Sequence, residues 1–202
     1  MQWVLGIGWL IGGCAYGGQT KEADPIKPGQ AEAVFAGGCF WCMESDFEKL
    51  DGVLRAESGY TGGVLKGPSY KQVGSGATHH LEGVRVVYDP KKLSYETLVQ
   101  YFFHHIDPTQ ADGQFCDRGE QYTTAVFAGS KAERELAEAE KKKVAEQLHK
   151  PIATTIRERS AFWLAEDYHQ DYYRKNPAHY QRYRQGCGRD ATVRALWKGS
   201  HE

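Results

Sequence analysis

The sequence lacks an excess of charge of either sign. Its 202 residues carry 25 lysines and arginines against 26 aspartates and glutamates, which gives a formal net charge of -1. This balance gives no argument for nucleic acid as a partner, nor for an acidic substrate. A chain of this length is expected to form one domain with a core large enough to hold itself together.

The apolar run at the N-terminus is too short to span a bilayer. It extends from Trp3 to Ile11 and ends at Gly12-Gly13-Cys14. Small residues before a cysteine are typical of a bacterial lipoprotein signal, in which that cysteine becomes lipid-modified. No lysine or arginine precedes the run, so an ordinary secretory signal, a misassigned start codon and a disordered cytosolic leader stay open.

We therefore expect residues 1–30 to be a leader and linker, and residues 31–202 to be a single domain with a mobile C-terminal tail. The leader predicts an exported protein, either periplasmic or anchored to the membrane through Cys14. Without export the protein would be cytoplasmic.

Cysteines are few, and their spacing does not form a metal site. Cys39 and Cys42 form a C-x-x-C pair, whereas Cys116 and Cys187 stand alone in the sequence, and zinc would require a second close pair. An exported protein could form structural disulfides, but a domain of this size does not need them, so reactivity is the better expectation. Cys42 and Cys116 are each also compatible with small buried hydrophobic residues.

The stretch from residue 33 to residue 42 predicts a strand, a tight turn at Gly37-Gly38 and a helix. Cys39 would lie in the first turn of that helix, where unpaired N–H groups and the helix dipole favour a thiolate over a thiol. Trp41 lies off the apolar side of the helix, so it is either exposed or lines a pocket beside the sulfur. The apolar side consists of Phe40, Met43, Phe47 and Leu50.

The rest of the chain mixes strands and helices and contains no nucleotide-binding glycine signature. Six glycines and a proline argue against regular structure between residues 59 and 76. We expect an α+β fold, with a mixed sheet packed against helices on one side and long irregular loops. The expected strands are 53–58, 82–88, 122–127 and 151–156, the expected helices 94–106, 131–150 and 165–174, and the expected loops 59–76 and 109–121.

Glu82 stands in an unusual position in the third predicted strand. It shares parity with Val84 and Val86, so its carboxyl should point to the same face as these apolar side chains and have a perturbed pKa. Tyr60, Tyr70 and Tyr122 lie on or beside glycine-rich loops, where buried phenols need hydrogen-bond partners. Either these phenols bond to backbone carbonyls, or they converge with Glu82 on an oxygen atom held above the cysteine. His169 is more consistent with a hydrogen-bonding helix residue than with a general base.

Several motifs in order resemble the peptide methionine sulfoxide reductase A family. The resemblance covers the chain from about Ala33 to Trp197, and it departs from the family pattern at Cys42, Cys116 and Thr123. The motifs that carry it are Gly37-Gly38-Cys39-Phe40-Trp41, His80-x-Glu82, Tyr88-Asp89-Pro90, Asp107-Pro108-Thr109-Gln110 and Asp117-Arg118-Gly119-Glu120-Gln121-Tyr122.

The resemblance implies a ferredoxin-like α/β sandwich and the reduction of methionine S-sulfoxide, free or in proteins. Cys39 would be the nucleophile and would become a sulfenic acid, while Glu82, Tyr70 and Tyr122 would bind and protonate the sulfoxide oxygen. The substrate would rest on Phe40 and Trp41, and Asp117 would organise the site.

Recycling would use a second cysteine and a thioredoxin-like reductant, with no metal, flavin or nucleotide cofactor. Cys187 is favoured as the resolving cysteine because it lies between two glycines in the tail and the resemblance points to a C-terminal cysteine. Cys42 is the competing candidate because it is closest to Cys39 in sequence. We expect a monomer that meets oxidised proteins or free methionine sulfoxide and does not bind nucleic acid.

Two other functional classes remain open at this stage. A thiol–disulfide oxidoreductase could work through Cys39 and Cys42, although Phe40-Trp41 between the cysteines favours substrate binding. A lipid-anchored peptide-binding module would use the same aromatic pocket without turnover.

Overall fold

The computed structural model describes residues 20–198, which form a six-stranded sheet, a two-stranded hairpin and a set of packed helices. The strands are β1 (Ala31–Gly37), β2 (Val53–Thr61), β3 (Leu81–Tyr88), β4 (Gly113–Gln114), β5 (Asp117–Arg118), β6 (Thr124–Ala128), β7 (Thr155–Glu158) and β8 (Phe162–Leu164). The helices are α1 (Phe40–Phe47), α2 (Tyr70–Gly74), α3 (Tyr95–Phe103), α4 (Lys131–Leu148), α5 (Tyr172–Lys175), α6 (Pro177–Gly186) and α7 (Arg189–Leu196).

The large sheet has the strand order β7-β6-β1-β3-β2-β8. Its four central strands alternate with helices as β1-α1-β2-β3-α3-β6 and pair antiparallel, which is the ferredoxin-like arrangement. β7 joins β6 in parallel and β8 joins β2 antiparallel, so the sheet is mixed. The α+β prediction with a mixed sheet is confirmed.

One face of the sheet carries the main core. Phe35 from β1 stacks between Phe47 of α1 and Phe102 of α3, with ring centroids 5.0 Å away in both pairs. Val144 of α4 and Val84 of β3 belong to the same buried cluster. The other face carries a smaller cluster, so these helices cover one side of the sheet as predicted.

The long loop predicted between residues 59 and 76 contains two elements that the glycine count concealed. β2 continues through Gly59 to Thr61 because this segment pairs with both β3 and β8. α2 begins at Tyr70, where the Ser69 N–H donates to Gln72 Oε1 at 2.9 Å and satisfies the start of the helix. The predicted loop 109–121 contains the β4–β5 hairpin.

The C-terminal segment differs most from the prediction. The expected helix 165–174 is replaced by turns and the short α5, and the expected mobile tail forms α6 and α7. Buried Arg189 attaches α7 to the core: its guanidinium donates to the Gly37 carbonyl at 3.2 Å and to the His105 carbonyl at 2.9 Å. These bonds connect segments far apart in sequence, so no local pattern reveals them.

The lipoprotein-like Gly12-Gly13-Cys14 lies outside the described residues. Across residues 20–198, no helix combines the length and the apolar character that crossing a membrane would require.

Gly38 shapes the turn between β1 and α1. Its φ of +81° lies in the left-handed region, and a Cβ there would be 2.5 Å from the Cβ of Gln114. The missing side chain therefore allows the β4–β5 hairpin to approach the residue that precedes Cys39.

Replacing this glycine should destabilise the protein. We expect Gly38→Ala to lower the free energy of unfolding in urea by about 2 kcal/mol or more, because it combines a left-handed backbone with a steric clash. Gly74→Ala is the matched control: apart from its chain neighbours and the backbone of its own helix, no atom lies within 4 Å of its Cβ position. Equal stability changes for the two variants would contradict this role of Gly38.

Candidate active site

Cys39 lies at the floor of a small cavity beside the start of α1. It is the N-cap residue of that helix and is 6% exposed. The cavity has a volume of about 190 Å³, below the roughly 300–1,000 Å³ typical of sites for drug-sized ligands. The site therefore fits a short side chain. Its lining residues are Cys39, Phe40, Trp41, Tyr70, Glu82, Asp117, Tyr122 and Tyr183.

The cavity contains every predicted site residue except Cys187 and the phenol of Tyr60, whose hydroxyl donates instead to Glu166 Oε2 at 2.9 Å. It also contains Tyr183 of α6, a residue of the predicted C-terminal tail that was not expected in the site. One available signal was that Tyr183 and Cys187 are four residues apart, a spacing that places two residues on the same face of a helix.

Glu82 supplies a buried carboxyl to this cavity. It is 3% exposed at the start of β3, and its Oε2 accepts a hydrogen bond from the Phe40 N–H at 3.2 Å. Burial raises the pKa of Glu82 to about 8; the charges of Asp117 and Cys42 act in the same direction, and the Phe40 N–H opposes them. The carboxyl is therefore mainly protonated at neutral pH, as its strand parity predicted.

Two phenols face the same cavity as the Glu82 carboxyl. The phenols of Tyr70 and Tyr122 both line the cavity, and burial raises the pKa of both. Tyr70 is held at the start of α2 because its N–H donates to Glu166 Oε1 at 2.9 Å. Both phenols keep their protons at neutral pH and can donate hydrogen bonds to a substrate oxygen.

Phe40 and Trp41 form the apolar wall of the cavity. The Trp41 ring stacks on Tyr172 with centroids 3.7 Å apart, and its Nε1–H donates to His169 Nδ1 at 3.0 Å. His169 is buried in a turn rather than in a helix, and burial lowers its pKa to about 4. The neutral imidazole thus accepts from the indole, so the prediction of a hydrogen-bonding role was right and that of a helical position was wrong.

Cys39 and Cys42 are free thiols that belong to one buried cluster. Burial raises the pKa of Cys39 well above its usual value, and the neighbouring Cys42 adds to this effect. The neighbouring Cys39 lowers the pKa of Cys42 to about 7, assisted by the positive charges of Arg189 and Arg184 and opposed by burial. The two thiols therefore titrate together, and the pKa of Cys42 is the lower of the two.

Asp117 and Tyr183 lie on the side of Cys39 that faces the C-terminal helices. The Tyr183 hydroxyl donates to Asp117 Oδ2 at 2.5 Å, and Tyr183 lines the cavity together with Cys39. Burial raises the pKa of Asp117, while the Tyr183 hydroxyl and Arg189 oppose the shift. The expected organising position of Asp117 thus depends on a tyrosine in α6.

Cys116 and Cys187 form a disulfide with their Cα atoms 4.9 Å apart. Cys116 is exposed, so its interpretation as a buried hydrophobic residue was wrong, whereas Cys42 is indeed buried at 2% exposure. Neither Cys116 nor Cys187 stands alone as the sequence suggested. The sulfurs lie close to opposite oxygens of Asp117, at 3.8 and 3.9 Å. The disulfide leaves Cys187 without a free thiol to meet Cys39.

This geometry defines the class of protein. An oxidoreductase that exchanges disulfides with protein substrates needs an accessible first cysteine. Here the first cysteine is nearly buried, and an acid, two phenols and an aromatic wall surround it. The protein is therefore a thiol-based oxidoreductase, and its substrate is a small polar group carried by a short, otherwise apolar side chain.

Comparisons with known proteins identify the family. Residues 31–201 match the family "Peptide methionine sulfoxide reductase". The chain is 50% identical over 165 residues to MsrA 2 of Rhizobium meliloti, covering 82% of each chain. It is 47% identical over 167 residues to MsrA of Bacillus subtilis, covering 82% of this chain and 94% of that protein. Reduced Mxr1 of Saccharomyces cerevisiae is similar in structure, with a TM-score of 0.72 at 32% identity over 76% of this chain and 90% of Mxr1.

The chain belongs to the peptide methionine sulfoxide reductase family and is an oxidoreductase that reduces methionine sulfoxide. The family resemblance identified from the motifs is confirmed, and the thiol–disulfide oxidoreductase and the non-enzymatic module are set aside.

The buried Glu82 carboxyl predicts a pH dependence of the reductive step. Its acid form predominates below about pH 8 and is lost above it, so the single-turnover rate should fall as pH rises through about 8. Glu82→Gln has no proton to lose; we expect a rate roughly 100-fold lower and no descending limb near that pH.

Glu44→Gln is the matched control for this profile. Glu44 is also a buried glutamate with a pKa raised by burial, to about 7, but it lies outside the cavity. We expect the control to keep the descending limb. A Glu82→Gln profile with the wild-type limb at the same midpoint would rule out Glu82 as the acid.

Proposed function

We propose that this protein reduces the S epimer of methionine sulfoxide, either free or within a protein chain. The observation that carries the proposal is the cavity that places Cys39 beside an aromatic wall on one side and a protonated carboxyl with two phenols on the other. These groups match the apolar methyl and the polar oxygen of the sulfoxide.

The substrate would bind with its methyl group against Phe40 and Trp41. A thioether methyl is apolar and polarisable, and favourable sulfur–aromatic contacts suit such a wall. The sulfoxide oxygen would accept hydrogen bonds from Glu82, Tyr70 and Tyr122, whose donors are all protonated near neutral pH. Because the apolar and polar walls are distinct, exchanging methyl and oxygen would place each against the wrong surface, which supports selection of one epimer.

The Cys39 thiol becomes the nucleophile by transferring its proton to Cys42. The pKa of Cys42 is the lower of the two, at about 7, and Cys42 belongs to the same buried cluster as Cys39, so the transfer needs no movement of the backbone. The Cys39 thiolate then attacks the sulfoxide sulfur while Glu82 protonates the oxygen. The protonated oxygen passes from the substrate sulfur to the Cys39 sulfur as the bond between the two sulfurs breaks, so methionine leaves with two additional electrons and Cys39 is left as a sulfenic acid.

We infer that Cys42 resolves this sulfenic acid first, and that Cys187 receives the disulfide afterwards. Cys42 contacts Cys39 directly, whereas Cys187 is bonded to Cys116 beyond Asp117 and Tyr183. Cys42, which holds the proton taken from Cys39, attacks the Cys39 sulfur and passes that proton to the departing hydroxyl, so water leaves and a Cys39–Cys42 disulfide forms. The thiols of Cys187 and Cys116 would then exchange with this disulfide. Cys39 and Cys42 would return to thiols, and the Cys116–Cys187 disulfide seen in the structure would form.

A thioredoxin-like dithiol protein would return the enzyme to its reduced form. Mxr1 of Saccharomyces cerevisiae has been solved in complex with Trx2, which supports such a partner for this chain. In this series of reaction steps, every electron passes between sulfur atoms, so the proposed chemistry involves no metal, flavin or nucleotide.

We also propose that the protein is exported, is anchored to the membrane through a lipid on Cys14 and acts as a monomer. The support for export is the apolar run that ends at Gly12-Gly13-Cys14. At that location its substrates would be oxidised envelope proteins or free methionine sulfoxide.

The order of the thiol steps can be read from a single turnover. Fully reduced protein is mixed with one equivalent of methionine S-sulfoxide without reductant, quenched at increasing times and mapped for disulfides by mass spectrometry. We expect a Cys39–Cys42 link first and the Cys116–Cys187 link at the end. Cys39→Ser should show no reduction, because loss of a nucleophile costs roughly 1,000-fold or more.

The R epimer serves as the substrate control, and Cys42→Ser should accumulate the sulfenic acid at Cys39. A direct Cys39–Cys187 link in the wild type, with the Cys42→Ser sulfenic acid resolved at the wild-type rate, would assign the resolving role to Cys187. Residual activity of Cys39→Ser above roughly a tenth of wild type would contradict the nucleophile assignment.

A further inference from the structure

The free thiols and the disulfide of the described residues lie at different depths in the protein. Cys39 and Cys42 are buried, at 6% and 2% exposure, whereas Cys116 is exposed and Cys187 is half-buried. A cavity of about 190 Å³ admits a side chain to Cys39 but not the surface of a second protein. A protein reductant therefore needs an outer point of contact.

Cys116 occupies the tip of a short hairpin. It follows Phe115 in the turn that joins β4 to β5, where these strands pair Gln114 with Asp117. Loop tips of this kind are the accessible parts of a fold. The position of Cys116 therefore presents its sulfur away from the core.

The hairpin that carries Cys116 is held firmly. The Phe115 N–H donates to Gln110 Oε1 at 2.7 Å, and Arg118 donates from its guanidinium to the Phe115 carbonyl at 2.8 Å. The Arg189 guanidinium lies 4.8 Å from the centre of the Phe115 ring. These contacts hold the disulfide in one orientation, with Cys187 on the inner side.

We propose that Cys116 is the sulfur at which a protein dithiol reductant attacks this enzyme, and that Cys187 is the leaving sulfur. The reductant thiolate bonds to Cys116 Sγ, the Cys116–Cys187 bond breaks, and Cys187 departs as a thiolate that takes up a proton. The second thiol of the reductant then attacks the reductant's first sulfur in the mixed disulfide. This step releases Cys116 as a thiol and leaves the reductant as a disulfide. Two electrons pass from the dithiol, which becomes a disulfide, to the cysteine pair.

The leaving sulfur is located on the side nearer to the active site. Cys187 Sγ lies 3.9 Å from Asp117 Oδ2, and the same oxygen accepts from Tyr183, which lines the cavity with Cys39. Reduction at Cys116 thus releases the Cys187 thiol one layer of side chains away from Cys39. The proposal rests on the thioredoxin-like recycling given under Proposed function, and it adds the point of contact.

A trapping experiment tests the assignment without any sulfoxide reduction. A bacterial thioredoxin whose second active-site cysteine is replaced by serine forms a stable mixed disulfide with the sulfur that it attacks. Oxidised wild type and oxidised Cys39→Ser are each mixed with this trap, and the adduct is mapped by mass spectrometry. We expect the adduct on Cys116 in both proteins, so the result is independent of whether Cys39 reduces methionine sulfoxide.

The controls are Cys116→Ser and Cys187→Ser, which have no Cys116–Cys187 disulfide and should give no adduct. An adduct on Cys187, Cys39 or Cys42 would overturn the proposal. Failure to form any adduct with the wild-type disulfide intact would overturn it as well.

Turnover gives a second readout that a purely structural role of the disulfide would not produce. For Cys116→Ser we expect the ratio of thioredoxin-supported to dithiothreitol-supported turnover to fall roughly tenfold or more, because a small thiol does not need the exposed contact point. An unchanged ratio would show that the reductant uses another sulfur.

Discussion

The structure of this site depends on the burial of one carboxyl beneath the start of α1. A buried carboxylate is costly, so Glu82 keeps its proton at neutral pH and accepts the Phe40 N–H instead of standing unpaired. That bond fixes the first turn of α1 against β3, and Gly38 lets the chain turn closely enough for Cys39 to lie beside the carboxyl. Nucleophile and acid therefore share one cavity because a strand end and a helix start meet there.

The cysteines divide the chemistry between an inner and an outer location. Cys39 and Cys42 are shielded from other proteins, which protects a reactive thiol and its sulfenic acid from unwanted exchange. Cys116 and Cys187 lie at the surface and just beneath it, and Asp117 with Tyr183 separates the two pairs. Such a separation allows a small substrate and a large reductant to use different approaches to one redox centre.

Local patterns in the sequence predicted the part of the site formed by neighbouring residues. The strand–turn–helix around Cys39 follows from hydrophobic periodicity and two glycines, and the alternation in β3 predicted the buried Glu82. The disulfide, Tyr183 and the effect of Arg189 on Cys42 depend on how the C-terminal helices pack. Cys116 and Cys187 are 71 residues apart, and no periodicity connects such distant segments. A glycine-flanked cysteine in a polar tail therefore suggested mobility where long-range hydrogen bonds hold a helix.

The protonation of Glu82 is the central claim and can be measured directly. Carboxyl carbon NMR of glutamate-labelled protein, with the Glu82 resonance assigned by its loss in Glu82→Gln, reports the ionisation of this group without reference to activity. We expect a titration midpoint near pH 8 for this carbon, because burial raises the pKa of Glu82. A midpoint near the roughly 4.3 of an exposed glutamate would contradict it, because the carboxyl would then be ionised at neutral pH and would have no proton to donate to the sulfoxide oxygen.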